Sequence, residues 1–143
     1  VLLALAGCAA PPKKLSPLET LQLYTKAIKK KDTTQMKLLL SRESMQMAEN
    51  EAKAQGVTVD DIVTRQTLFS ESQTSVKYRN VREEGDTATI DVEDSLGIWN
   101  SVRFVREDGE WKIDNKGSAS IIEEEIKQGQ DELDRIINEG RQP

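Results

Sequence analysis

Val102-Arg103-Phe104-Val105-Arg106-Glu107-Asp108-Gly109-Glu110-Trp111-Lys112-Ile113 is the stretch whose reading decides the fold. Val102 and Phe104 fall on one side of a strand running from Ile98 to Arg106. Asp108-Gly109 is a strong signal for a two-residue hairpin turn. Such turns need positive φ at their central residues, and Asp and Gly tolerate it well. Trp111-Lys112-Ile113-Asp114 then reads as the returning strand, with Trp111 and Phe104 expected on inward faces of neighbouring strands.

Upstream of this hairpin, Ala88, Ile90 and Val92 alternate with Thr87, Thr89, Asp91 and Glu93, the pattern of a half-buried strand. Ser95 to Gly97 turns the chain between the two. Glu84-Gly85-Asp86 is an earlier turn, and Ser75 to Arg82 reads as the first strand, with Val76 and Tyr78 on one face. Three short connections in a row imply an antiparallel meander of about four strands.

Helices come first. Ser16-Pro17-Leu18-Glu19 combines a capping Ser, Pro at the first helical position and a Glu that closes a capping box. Leu18, Leu21, Tyr24, Ala27 and Ile28 recur at helical spacing. Lys29, Lys30 and Lys31 suit the last turn, where the helix dipole is negative. Asp32-Thr33-Thr34 restarts the chain, and Met36, Leu39 and Leu40 mark a second short helix. A third is predicted from Ser41 or Arg42 to Gln55, stopped by Gly56, with Met45, Ala48 and Ala52 inward. Thr58-Val59-Asp60-Asp61 opens a fourth, whose buried side is Ile62, Val63 and Leu68.

The tail returns to helix. Ser120-Ile121-Ile122-Glu123 resembles a capping box, and Ile122, Ile126, Gly129, Leu133 and Ile136 step by heptad spacing. So narrow a seam needs burial for the helix 120–139 to persist. It either folds back onto its own domain, the commoner outcome for consecutive elements, or pairs with a second copy or a partner protein. The fold class is thus α+β: N-terminal helices packed on a curved antiparallel sheet of about four strands, plus a C-terminal amphipathic helix.

Composition narrows the function. The chain has 143 residues, 36% hydrophobic and 31% charged, with net charge -5. That suits one modest core. An acidic chain is a poor general binder of nucleic acid, whose phosphates demand Lys and Arg. There is no His and a single Cys. Imidazole-based catalysis, His-containing metal sites and an intramolecular disulfide are excluded. The charge is uneven: Ala9 to Leu40 carries seven Lys against Glu19 and Asp32, while Ser118 to Pro143 carries seven acids against three bases.

The single Cys has a telling place. Val1-Leu2-Leu3-Ala4-Leu5-Ala6-Gly7-Cys8 resembles the end of a secretory signal peptide. Leu5-Ala6-Gly7-Cys8 matches the bacterial lipobox, where cleavage before the Cys follows attachment of diacylglycerol to its thiol. Two or three acyl chains give stable membrane anchoring. Residues 1–7 are expected to be a signal-peptide remnant, 8–15 the lipidated Cys8 and its Pro-containing tether, 16–117 the domain and 118–143 the C-terminal helix. Ala9 after the Cys leans toward the outer membrane, facing the periplasm, in a diderm cell.

The segment Val102 to Ile113 resembles the last hairpin of the nuclear transport factor 2-like superfamily, also called SnoaL-like, and in particular its small bacterial lipoproteins of unknown function. The helix from Ser16 to Lys31 followed by Asp32 resembles that family's opening helix and its short acidic break. The likeness runs over residues 16–115 by element order. It implies a cone, in which a curved sheet wraps the opening helix and leaves a pocket at the open end. The superfamily holds isomerases and dehydratases beside non-catalytic binding and assembly domains, so the fold does not choose a function.

An isomerase-like site needs a carboxylate base in an apolar pocket facing a Tyr or a protonated acid. Its candidates here are Tyr24, Tyr78, Asp91 and Asp94, with Trp99, Asn80 and Asn100 as residues that could line a pocket mouth. Asp91 has the parity opposite to Ile90 and Val92 and is expected to face water. Core packing accounts for Tyr24 and Tyr78. Asp91-Val92-Glu93-Asp94 lacks the ligand spacing and Gly turn of a calcium loop. No catalytic residue, metal or cofactor is assigned. The expected function is a membrane-anchored envelope domain that binds a partner protein or a small apolar ligand. The alternative is an isomerase or hydro-lyase using a pocket carboxylate and Tyr.

Overall fold

A computed structural model describes residues 12–67, 69, 73 and 75–140 of the chain. Cys8 with its lipobox, and Leu68, lie outside them. Four helices precede an antiparallel sheet, and a fifth helix follows it. That is the α+β layout read from the sequence.

Helix α1 spans Pro17–Lys30 and starts on the expected capping box. The Glu19 amide donates to Ser16 Oγ at 3.2 Å, and the Ser16 amide donates to Glu19 Oε2 at 2.8 Å. Leu21, Tyr24, Ala27 and Ile28 form its buried stripe. Helix α2 (Thr33–Leu39) is capped by Asp32 and buries Met36 and Leu39. Helix α3 (Arg42–Gln55) starts at Ser41 and ends at Gly56, whose φ of 66° is the left-handed geometry of a helix stop. Its inward side is small, with Ser44, Ala48 and Ala52. Helix α4 (Val59–Arg65) opens on a Thr58–Asp61 capping box and buries Ile62 and Val63.

The sheet runs in the order β1-β2-β3-β4, with β1 Tyr78–Glu84, β2 Thr87–Glu93, β3 Trp99–Glu107 and β4 Glu110–Ile113. Asp108 and Gly109 both take positive φ, 51° and 79°, as the predicted hairpin turn requires. Ala88, Ile90 and Val92 of β2, Val102 and Phe104 of β3, and Trp111 and Ile113 of β4 meet the helices in one core. Phe104 and Trp111 are both inward, as expected. The Arg106 guanidinium covers the Trp111 ring at 4.5 Å from its centroid.

Strand β1 departs from the prediction. It begins at Tyr78, three residues later than expected, and all seven of its residues are exposed. Its pairing with β2 slips between Arg79 and Arg82, where the register passes from Asp91 to Thr89. Asn80 takes a φ of 52° at this slip. One extra residue there makes a β-bulge, and Asn, which tolerates left-handed geometry, is its cause.

Helix α5 departs further. It spans Asn115–Glu139, so the Ser120–Glu123 box lies inside the helix and does not start it. The start is set by a polar junction instead. The Asn115 amide donates to Ser44 Oγ at 2.8 Å, Ser44 Oγ donates to the Ile113 carbonyl at 3.3 Å, and the Ser41 amide donates to that carbonyl at 2.8 Å. These bonds tie α3, β4 and α5 together. The expected fold-back does not occur along residues 126–137: Ile126, Leu133, Ile136 and Ile137 are 41–57% exposed. No helix among the described residues is long and apolar enough to cross a membrane.

Candidate functional site

Among the described residues, the helices and the inner face of the sheet enclose little space. A cavity of about 10 Å³ remains, lined by Leu21, Tyr24, Gln66, Phe69, Val102, Ile113 and Asn115. A space of that size holds one water at most. No carboxylate lines it. Tyr24 reaches it from the buried stripe of α1, and burial pushes its phenol up to about 12. A phenol so shifted is a weaker acid than free tyrosine, whose pKa is about 10.

The four residues that could have formed a pocket do not converge. Tyr78 sits on the edge strand and is 46% exposed, so it is not the core residue it was expected to be. Trp99 and Asn100 are successive residues of β3, and successive side chains leave a strand on opposite faces. Trp99 lies under the Arg79 guanidinium, 4.1 Å from the ring centroid. Asn100 donates to Asp94 Oδ2 at 3.1 Å. Of the four, only Tyr24 lines the small interior cavity, although Asn100 stands opposite Val92 on the inward face of the sheet.

The two candidate carboxylates are structural anions. Asp91 accepts from Asn80 Nδ2 at 2.7 Å and from Ser101 Oγ at 2.8 Å, with Arg79 Nε at 3.8 Å. It lies on the sheet face opposite Ile90 and Val92, half-covered by these groups. Partial burial opposes its charge, but the Asn80 and Ser101 donors and the Arg79 and Arg82 charges together outweigh that, and its pKa falls. Asp94 closes the β2–β3 turn by accepting from the Leu96 amide at 2.8 Å and the Ile98 amide at 2.9 Å. The Ile98 amide bond foremost holds its carboxyl below the usual range; desolvation opposes this, and Leu96 and Asn100 add to it. An acid held ionised by several donors is a poor proton acceptor. Among the described residues no group of three or more acidic, Cys or His side chains is placed to share a metal ion.

Sequence reasoning passed over Asp114, which it placed at the end of the last strand. Its side chain is buried and pairs with Arg103 Nε at 3.5 Å. It stands immediately before α5, where the helix dipole favours a carboxylate. Its place at a strand-to-helix junction was the available signal.

The surface offers what the interior does not. A groove of about 300 Å³ runs between α1 and the start of β1, floored by Leu18, Leu21, Val76 and Tyr78 and rimmed by Lys26 and Lys29. Val76 and Tyr78 do share a face, as their parity implied. Two larger grooves, of about 400 and 650 Å³, flank the β3–β4 hairpin and carry acids beside their bases, among them Asp108 and Glu110. Residues 12–15 line the largest, next to Trp111.

No known family's sequence profile matches the chain, and no curated relative matches it. A crystal structure at 2.00 Å of a Campylobacter jejuni protein, provisionally named an NTF2-like transpeptidase, is similar. The TM-score is 0.45 and the identity 16%, over 71% of this chain and 100% of that one. At that level of likeness, no activity or substrate carries over.

Proposed function

We propose that the chain is a lipid-anchored envelope protein whose domain works by binding at its surface, not by chemistry inside its cone. The filled interior is the observation that supports this reading. A space of about 10 Å³ bordered by no carboxylate has neither room for a substrate nor a base to act on it. Tyr24, kept neutral by its burial, faces no carboxylate base in that space, and an isomerase site needs both. What the domain does expose is the α1–β1 groove and the seam of α5.

Two measurements test the reading. For the anchor, the precursor is expressed with labelled fatty acid. Replacing Cys8 with Ala is expected to abolish the label and release the protein from the membrane fraction; a labelled Cys8→Ala protein ends the lipoprotein reading. For the domain, a Tyr78→Phe variant leaves Tyr24 as its one tyrosine. Its phenolate absorbance is expected to rise with a midpoint of about 12. Because the folded pKa is raised, the stability lent by the neutral phenol is complete below about pH 10 and is lost as pH climbs through 12. A midpoint at or below 10 would mean a wet, open interior and favour the isomerase alternative.

A further inference from the structure

We infer that two copies of this chain associate by seating α5 of each in the α1–β1 groove of the other. The inference rests on the binding reading above and identifies its partner as a second copy. Its first ground is the state of α5. Every described side chain from residue 124 to 140 is exposed, including the apolar seam. Sixteen residues of lone helix are marginal in water, so this seam is built to be covered.

Charge selects the cover. Residues 124–139 carry six acids against Lys127 and Arg135. Two α5 helices are poor partners for each other. In an antiparallel pair the heptad sets Glu132 against its own counterpart, and in a parallel pair it sets Glu132 opposite Ile137, so neither brings an acid to a base. An anionic lipid surface repels so acidic a helix. The α1–β1 groove has the complementary character: an apolar floor and, among the described residues that line it, two charged side chains, Lys26 and Lys29. The two larger grooves present acids to the helix and are disfavoured.

Topology says that the helix comes from another copy. Helix α5 leaves the sheet from β4, whereas the groove lies along β1 at the opposite edge, three strand spacings or roughly 14 Å away. In the structure no residue of α5 lines this groove, and the described side chains of α5 from residue 124 onward are exposed. Reciprocal exchange between two copies gives a closed two-fold dimer and uses each contact twice. That raises a small helix-in-groove contact toward the roughly 1,200–2,000 Å² of stable interfaces.

The test is sedimentation equilibrium on the whole chain carrying Cys8→Ser, which removes its one thiol. A dimer is expected, with a dissociation constant that rises with salt. Ile136→Asp on the helix, and Lys26→Glu with Lys29→Glu on the groove, are each expected to weaken it by about tenfold or more. Adding Glu132→Lys and Glu139→Lys to the groove variant is then expected to restore the dimer, because each contact regains opposite charges with the signs exchanged. That restoration also shows that the groove variant is folded. A groove variant that dimerises like the parent would overturn the exchange in favour of helix pairing. A parent chain that sediments as a monomer at every concentration would overturn it outright, while the Tyr24 titration still reports separately on the closed interior.

Discussion

Strand β2 and helix α5 are patterned with equal care, each at the period of its own geometry. In β2 the apolar set Ala88, Ile90 and Val92 is lost from solvent, at 0–3% exposure. In α5 the described apolar side chains Ile126, Leu133, Ile136 and Ile137 keep about half of their surface. The difference lies in what surrounds each element. Strand β2 has β1 and β3 on its two sides and the helices over its inner face. Helix α5 is tied to Ser44 through its Asn115 amide and packs against β3, and its described side chains from residue 124 onward are exposed. Periodicity reports which side of an element must be covered. It does not report whether the cover comes from the same chain.

The comparison breaks most visibly at Phe104. Its side chain is fully buried in the middle of the sheet face. Phe104→Ala is expected to cost about 3–5 kcal/mol, read as a lowered denaturation midpoint. A loss below about 1 kcal/mol would mean that the sheet face is as thinly covered as α5. Leu133→Ala should lie at the other end of the scale. At 57% exposure, and measured dilute enough to keep the chain monomeric, it is expected to move stability by no more than about 0.5 kcal/mol. A cost of about 2 kcal/mol or more in that dilute state would place α5 against its own domain and remove the contrast.

The meander was legible because its signals were local. Asp108-Gly109 needs only two residues to specify its turn, and Ser16-Glu19 and Thr58-Asp61 name their helix starts with four. The start of α5 was misread because Ser120 to Glu123 satisfies the cap pattern, while the actual start depends on Ser44, 71 positions away from Asn115. The fate of its seam stayed open between fold-back and a partner for a related reason: proximity in sequence says nothing about reach. The candidate site was legible only residue by residue. Tyr24 was placed correctly in the core, but Tyr78 was not, since an edge strand carries the same alternation as a central one. Of the groove's lysines, Lys29 read as part of a helix end and Lys26 was passed over. Lys26 and Lys29 stand three apart, beside Leu18 and Leu21 one to two turns back, and that shared face was the sign of a basic rim.

The two edges of the sheet end differently. The outer side of β4 is closed by Leu40, which bridges to Ile113, and by the Ser41 amide on the Ile113 carbonyl. Beyond β1 no strand follows among the described residues. An open edge is where one molecule can template the next into a fibril, but that growth needs a straight ladder and an uncharged row of side chains. The extra residue at Asn80 throws the ladder out of step, and Arg79, Arg82, Glu83 and Glu84 charge the row on both sides of it. A single left-handed asparagine thus gives β1 an irregular, charged ladder, the kind of edge that discourages a neighbour's strand from pairing on.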